Sequence, residues 1–242
     1  MYHIISITGP DTEKFLQGQL TSNIQKMKPE QAQLSAYCDQ KGRVIASFWL
    51  IKLSSDHYLA CLPASNLDNT LNQLLKYALF SKVEVSMTNA YQIQYEYQAP
   101  TISITHAAQN DEEKWQQQLI KAGIVLVESE ISGKFLPQML SYEKLEAVSF
   151  TKGCYLGQEI VARTQHLGVL KQGLFRLTLQ QGEPRGLKIG AEILHDHKNI
   201  GTVVANYNNR LLLAVMRITD IEALNELTFN DGIWTISPTH AR

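Results

Sequence analysis

Apolar and polar positions alternate from the start of the chain. His3-Ile4-Ile5-Ser6-Ile7-Thr8 has the period of a half-buried strand, and Pro10 to Leu20 follows with proline and acids in its first turn, as a helix start requires. Gln33 to Cys38 and Arg43 to Leu53 are strand-like runs joined by Asp39-Gln40-Lys41-Gly42, a hairpin-type turn with a glycine free to take positive φ, and His57 to Leu62 continues the meander. Between Ala64 and Phe80, Leu67, Leu71, Leu74, Leu75 and Ala78 recur at helical spacing, and Lys82 to Thr88 alternates as a strand. Strand, helix, strands, helix, strand is the order of an α+β sheet with helices on one face. Ala90 to Gln98 is again strand-like. Residues 111–123 predict a helix with acids first, Lys121 late and Gly123 as its stop, and Gln138 to Glu146 predicts a further short helix.

After Gly168 the texture changes. Gly173–Gln180, Ala191–Tyr207, Arg210–Ile218 and Asp231–Ser237 are short strand patterns split by Gly, Asn and Asp turns, which predicts a small closed antiparallel barrel. The expected division is an α+β domain over residues 1–167 and a barrel domain over 168–242, a length suited to one large domain with a smaller appendage. Ligand sites favour such junctions.

Charge narrows the partners. The formal net charge of -1 provides no global field for nucleic acid or an anionic membrane, so any RNA contact would be local. The start of the chain lacks the basic flank and long apolar core of a secretory signal, and no run reaches transmembrane length, which leads to the expectation of a cytoplasmic protein. Three cysteines, Cys38, Cys61 and Cys154, are too few and too scattered for a disulfide framework, a structural zinc site or a permanently bound four-cysteine cluster. His195-Asp196-His197 has the look of a ligand pair, but it falls in a turn with no third ligand, and no bound metal is expected.

Cys154 has unusual company. A cysteine kept for packing wants apolar neighbours, whereas this one stands between Gly153 and Tyr155, with Lys152 before it and Gly157, Gln158, Glu159 and Arg163 after it. Gly157-Gln158-Glu159 followed by Ile160-Val161-Ala162-Arg163-Thr164 reads as a helix start, placing the thiol just before or in the first turn. Free amides there favour a thiolate, and Lys152 and Arg163 would add to this if they fold back toward the sulfur. Cys38 and Cys61, in strand-like runs, are expected to be buried. From Lys152 to Arg176, Lys152, Arg163, Lys171 and Arg176 outnumber Glu159 and make a locally basic stretch, either a solvated face or a seat for polyanions.

Lys152-Gly-Cys-Tyr-Leu-Gly-Gln-Glu159 with Arg163 downstream resembles the signature of the YgfZ family of folate-binding proteins, relatives of the glycine-cleavage aminomethyltransferase. Residues Ile7–Ile24, Cys38–Arg43, Leu75–Val83 and Gly133–Gln138 resemble further blocks of that family, so the likeness extends through most of the chain. It implies ferredoxin-like antiparallel sheet halves around a central folate channel, with a C-terminal antiparallel barrel. It also implies tetrahydrofolate as cofactor, and as partners iron-sulfur enzymes or cluster-assembly proteins, including tRNA methylthiotransferases, with the tRNA modification itself indirect. On the family's pattern Cys154 is the functional thiol with Lys152 and Arg163 beside it. Tyr2, Trp115, Gly153, Tyr155, Gln158 and Glu159 would then bind the folate. Trp115 reads equally as a helical core residue, Tyr2 as an ordinary chain-end residue, and Asp39 as a channel residue or a turn residue.

One departure bears on activity. Aminomethyltransferases carry a carboxylate pair where this chain has Ala46 and Ser47, so the proton-handling group is missing. Folate binding without methylene transfer is the leading reading, and a tetrahydrofolate-dependent one-carbon transferase is the alternative. A direct RNA-binding protein is disfavoured by the charge and by the lack of interleaved aromatic and basic residues.

Overall fold

The computed structural model describes residues 1–95, 102–105, 112–221, 224 and 226–239. The chain runs β1 (Tyr2–Thr8), α1 (Thr12–Gln19), β2 (Ala32–Cys38), β3 (Val44–Lys52), β4 (His57–Pro63), α2 (Leu67–Ala78) and β5 (Glu84–Thr88). These strands form one antiparallel sheet in the order β2-β3-β4-β1-β5. The alternation read in the sequence sets its faces. Ile5, Ile7, Phe48 and Leu50 point to one side, where they pack on Phe15, Leu16 and Leu20 from the α1 region and on Leu74 of α2. Ile4, Leu34, Trp49 and Cys61 point to the other.

That second face is covered too, which the expectation of helices on one face alone did not include. It packs on Trp115, Leu119 and Ile120 of α3 (Glu112–Lys121), on the extended segment Ile124–Val127, and on barrel residues. A strand buried on both faces has no solvated positions to alternate with, which is why β3 is apolar almost throughout. A strand pair, β6 (Gln92–Tyr95) and β7 (Ile102–Thr105), precedes α3. The end of the strand-like run read to Gln98 lies outside the described residues.

Residues Pro137–Leu140 form a 3-10 turn rather than the opening of a helix to Glu146. Pro137 starts the turn, but Ser141 and Glu146 adopt left-handed φ of 59° and 55°, and a right-handed helix cannot pass through them. Next come α4 (Gln158–Leu167), β8 (Gln172–Gly182), β9 (Glu192–His195), β10 (Lys198–Tyr207), β11 (Leu211–Arg217), the short α5 (Ile218–Ile221), β12 (Glu226–Phe229) and β13 (Gly232–Pro238). The six strands make an antiparallel sheet ordered β12-β13-β8-β11-β10-β9, nearly closed into a barrel.

The unbroken apolar run of β11 has a physical reason. Leu212, Ala214 and Met216 fill the barrel with Phe175, Leu177 and Trp234, while Leu213 and Val215 point outward into the cluster on the far face of the first sheet. One strand thus serves two cores, and the apolar cluster it joins bridges sheet and barrel. The turn between β9 and β10 holds Asp196 and His197 at φ 48° and 62°, the paired left-handed conformation of a tight hairpin.

Candidate functional site

The loop carrying Cys154 is anchored from within. Lys152 is buried, and its Nζ donates to the carbonyl oxygens of Leu20 at 2.5 Å and Ser22 at 2.8 Å, while lying 5.3 Å from the centre of the Tyr155 ring. Burial pushes the ammonium down to about 8. The socket is itself well tied: Thr21 donates through Oγ1 to Ala147 O at 2.6 Å, Ser149 N donates to Thr21 O at 2.8 Å, and the Ser22 and Ser35 hydroxyls share a 2.7 Å hydrogen bond. The condition under which Lys152 would favour a thiolate, folding back toward the sulfur, is not met, because its ammonium is committed to these two carbonyls.

At its other end the loop is pressed against the β2–β3 hairpin. Gly157, at φ 81°, precedes α4, and a Cβ there would fall 2.3 Å from Asp39 O and 2.8 Å from Gly42 Cα. Only glycine meets both the dihedral and the contact. The hairpin turn is shaped by Asp39, whose Oδ1 accepts from the backbone N–H of Lys41 and of Arg43, each at 2.8 Å. Asp39 therefore acts as a turn residue, the second of the two readings made from sequence.

Between these anchors Cys154 is exposed, whereas Cys38 and Cys61 are buried and burial pushes both thiols well up. Cys154 stands at an open surface depression of about 510 Å3, lined also by Gln40, Tyr155, Gly157, Gln158 and Glu159. Its place is ahead of α4 rather than in the first turn. Gly153 is exposed beside it, with nothing within 4 Å of where its Cβ would be. Tyr155 is 6% exposed, and its hydroxyl is buried without a protein partner. Arg163 stands exposed on α4 and does not line the depression. The locally basic stretch is dispersed, since Lys152 points inward and Arg176 Nη2 donates to Lys121 O at 2.7 Å.

Tyr2 and Trp115 are elsewhere in the molecule. Their rings meet edge to face at 4.6 Å and 74°, and Trp115 is 4% exposed inside the cluster between sheet and barrel. The cavity beside Tyr2, lined also by Gln116, Leu119 and Glu128, is about 40 Å3, far below the several hundred of a small-molecule pocket. In this arrangement the pair does not fit a stacked pterin. The depression at Cys154 has the size for one, with the Gln158 amide and the Glu159 carboxylate on its wall as acceptors for ring N–H groups.

Ala46 and Ser47 are fully buried, and Ser47 Oγ accepts from Val127 N at 2.8 Å, so these positions serve packing and a backbone bond. His195 Nε2 lies 3.7 Å from Asp196 Oδ2 in the β9–β10 turn, and among the described residues no group of three or more His, Cys, Asp or Glu is arranged to hold a metal ion. The residues missed from sequence are Leu20, Thr21 and Ser22, which build the Lys152 socket. Their one signal was that small polar residues follow the first helix directly.

Comparison with known proteins places this geometry. The GCVT N-terminal domain family matches residues 2–99. An uncharacterized protein of Haemophilus influenzae is 32% identical over 247 residues, covering 92% of this chain and 88% of that one. The tRNA-modifying protein YgfZ of Colwellia psychrerythraea is 28% identical over 253 residues, covering 84% of this chain and 78% of its own length, and that of an Escherichia coli strain is 28% identical over 258 residues with the same coverage. Among solved structures, the glycine cleavage system aminomethyltransferase T of Bartonella henselae superposes with a TM-score of 0.71 over 98% of this chain and 82% of its own, at 13% identity. The fold is thus that of the aminomethyltransferase, and by its relatives, its amino-terminal domain and its Lys152-Gly-Cys-Tyr-Leu-Gly-Gln-Glu159 loop the chain belongs to the YgfZ family.

Proposed function

We propose that the protein is a folate-binding accessory factor for the assembly or repair of iron-sulfur enzymes, supporting tRNA modification indirectly, with Cys154 as its working thiol. The observation that carries this reading is the contrast within one loop. Lys152 and Tyr155 near Cys154 are buried and Gly157 is pressed on the β2–β3 hairpin, while the thiol faces solvent above a depression large enough for a ring system. Packing does not require such an arrangement, whereas presenting a nucleophile or soft ligand to a partner does. The relatives described as tRNA-modifying proteins support the pathway, and the fold shared with an aminomethyltransferase supports folate as the ligand. Tetrahydrofolate is placed at the depression, with Gly153, Tyr155, Gln158 and Glu159 around it. Lys152 acts on the loop rather than on the sulfur, and Arg163 offers an exposed cation on α4 to a partner.

The alternative, a folate-dependent one-carbon transferase, lacks a carboxylate at Ala46 and Ser47, and both positions are sealed in the core. The experiment is deletion of the gene, assay of tRNA methylthiolation, and complementation with wild type, Cys154→Ser and Cys154→Ala. Calorimetry with tetrahydrofolate on the purified proteins accompanies it. Wild type should restore modification and the two variants should not, while all three bind the folate alike. Full complementation by Cys154→Ala would remove the thiol from the function. Turnover of an aminomethyl donor would establish the alternative.

A further inference from the structure

The segment that joins α4 to the barrel is tied at both ends. Gly168 N donates to Thr164 O at 3.1 Å as the helix closes, a Cβ on Gly168 would fall 2.7 Å from Thr164 O, and Ile218 N donates to Lys171 O at 3.0 Å. Between these bonds Leu170 is half-buried and lines a cavity of about 300 Å3, whose other apolar walls are Leu174 and Phe175 of β8, Ile218 of α5 and Pro238 at the end of β13. The cavity shares no lining residue with the depression at Cys154. Next to Leu170 in the chain, Val169 is 90% exposed, and Leu167 in the last turn of α4 is 82% exposed. A recess with apolar walls and two bare aliphatic side chains beside it marks a surface that gains from being covered. The charge around it has one sign. From Ile160 to Gly182 the sequence contains no Asp or Glu, and the exposed Arg163 and Lys171 form no ion pair with a described residue. The acid on the cavity wall, Glu143, is met by Lys144 beside it, which leaves Arg163 and Lys171 as the surplus.

We propose that this surface docks a client protein, through a segment whose apolar side chain fills the cavity and whose acidic residues face Arg163 and Lys171. The inference rests on the reading of the protein as an accessory factor for iron-sulfur enzymes, and gives the client its seat. A buried apolar anchor inside a charged rim is the usual anatomy of a protein interface, and opposite charge on the rim speeds the encounter and fixes its orientation. The ten residues of α4 span about 15 Å between the Cys154 loop and this surface, so a client held here has the thiol within one helix length. Leu167 and Val169 are aliphatic, whereas the unstacked bases of RNA are held on aromatic rings. Two surplus cations also fall short of the roughly four to eight that a lipid surface calls for.

The test places the photocrosslinker p-benzoylphenylalanine at Val169 of the full chain, and in a control at Leu79, in cells deleted for the gene. Leu79 is 81% exposed at the end of α2, which packs on the sheet face away from the barrel. On illumination the Val169 position should capture a protein of iron-sulfur metabolism with a yield at least about tenfold above the control, and peptide mapping should place the bond in a segment rich in aliphatic and acidic residues. Lys171→Glu should lower that yield by about threefold or more. Leu167→Gln combined with Val169→Gln should reduce tRNA methylthiolation to about a tenth of wild type or less, while the alkylation rate of Cys154 and the affinity for tetrahydrofolate stay unchanged. Should the double variant misfold, the yield in Lys171→Glu decides. Capture of RNA, lipid or a second copy of this chain, equal yield at the two positions, a yield indifferent to Lys171→Glu, or full methylthiolation in the folded double variant would overturn the proposal. The two readings fail separately. If Cys154→Ala complements in full and the double variant does not, the role of the thiol is lost and the docking surface stands. If the double variant complements and Cys154→Ala does not, the docking surface alone falls.

Discussion

The loop around Cys154 and the corner formed by Tyr2 and Trp115 both drew attention in the sequence, and the fold treats them in opposite ways. In the loop, burial is spent on the backbone and on the side chains flanking the thiol, and the thiol itself stays outside. In the corner, the aromatic rings themselves are the buried material, and what remains beside them is a cavity of about 40 Å3. Cys154, singled out by its improbable neighbours, came out exposed, and Trp115, singled out by its place in the family's pattern, came out as core. An indole suits many sites in a core, whereas a cysteine set among glycines and charges does not.

The largest difference between the two regions should appear in thiol chemistry. A short pulse of a small alkylating agent on native protein should modify Cys154 alone, with Cys38 and Cys61 slower by roughly a thousandfold or more, since both need an opening of the core. Peptide mapping by mass spectrometry measures this, and comparable labelling of Cys61 would erase the contrast. Next in size, Trp115→Ala should cost about 3 to 5 kcal/mol in urea unfolding, the cost of a large cavity in a packed cluster. A folded, undiminished Trp115→Ala protein that had lost tetrahydrofolate would turn the corner back into a binding surface.

Smaller again is the tether. Lys152→Met should cost about 2 kcal/mol, because two charge-assisted hydrogen bonds are lost while a desolvated charge is removed. Amide exchange from Gly153 to Gly157 should speed up more than elsewhere, and uniform exchange across the protein would contradict a local latch. The smallest effect concerns Glu128, beside Tyr2. Burial first, and then the like charge of Glu130, raise its carboxyl above the ordinary 4.5. An acid with a raised folded value penalises the fold above that value, and the penalty fades as pH falls toward 4.5. Glu128→Gln should therefore be slightly more stable at pH 7, by less than about 1 kcal/mol given its partial exposure, and indistinguishable from wild type near pH 4. Equal stability at both pH values would show that the carboxylate is solvated.

Period-two patterns and turn residues made most of the first sheet legible, and Gly42 was rightly read as the hairpin glycine. Signals failed where one element serves two environments or where a local rule meets a tertiary constraint. Leu75 fitted the helical stripe of α2 yet is 44% exposed, one position round from the fully buried Leu74. The run after Gln138 looked helical by composition, but Ser141 turns left-handed. β12, only four residues long, gave too short a pattern to register. At the site, the motif located Cys154, while the direction of the Lys152 side chain depended on carbonyls contributed from the far end of the chain, a placement no local pattern records.

That separation has a temporal side. Lys152 and Leu20 are 132 residues apart in sequence, so the loop that presents the thiol cannot take its shape until most of the polypeptide exists. On a ribosome adding roughly 5 to 20 residues per second, the carbonyls of the socket wait on the order of ten seconds for their lysine. During that interval β1 to β4 can pair, because their partners are nearby, yet the face that carries Cys38 and Cys61 stays open until α3, Ile124–Val127 and the barrel arrive to cover it. The order of synthesis thus leaves the two core thiols to be concealed last, by residues made after Cys154 as well as before it.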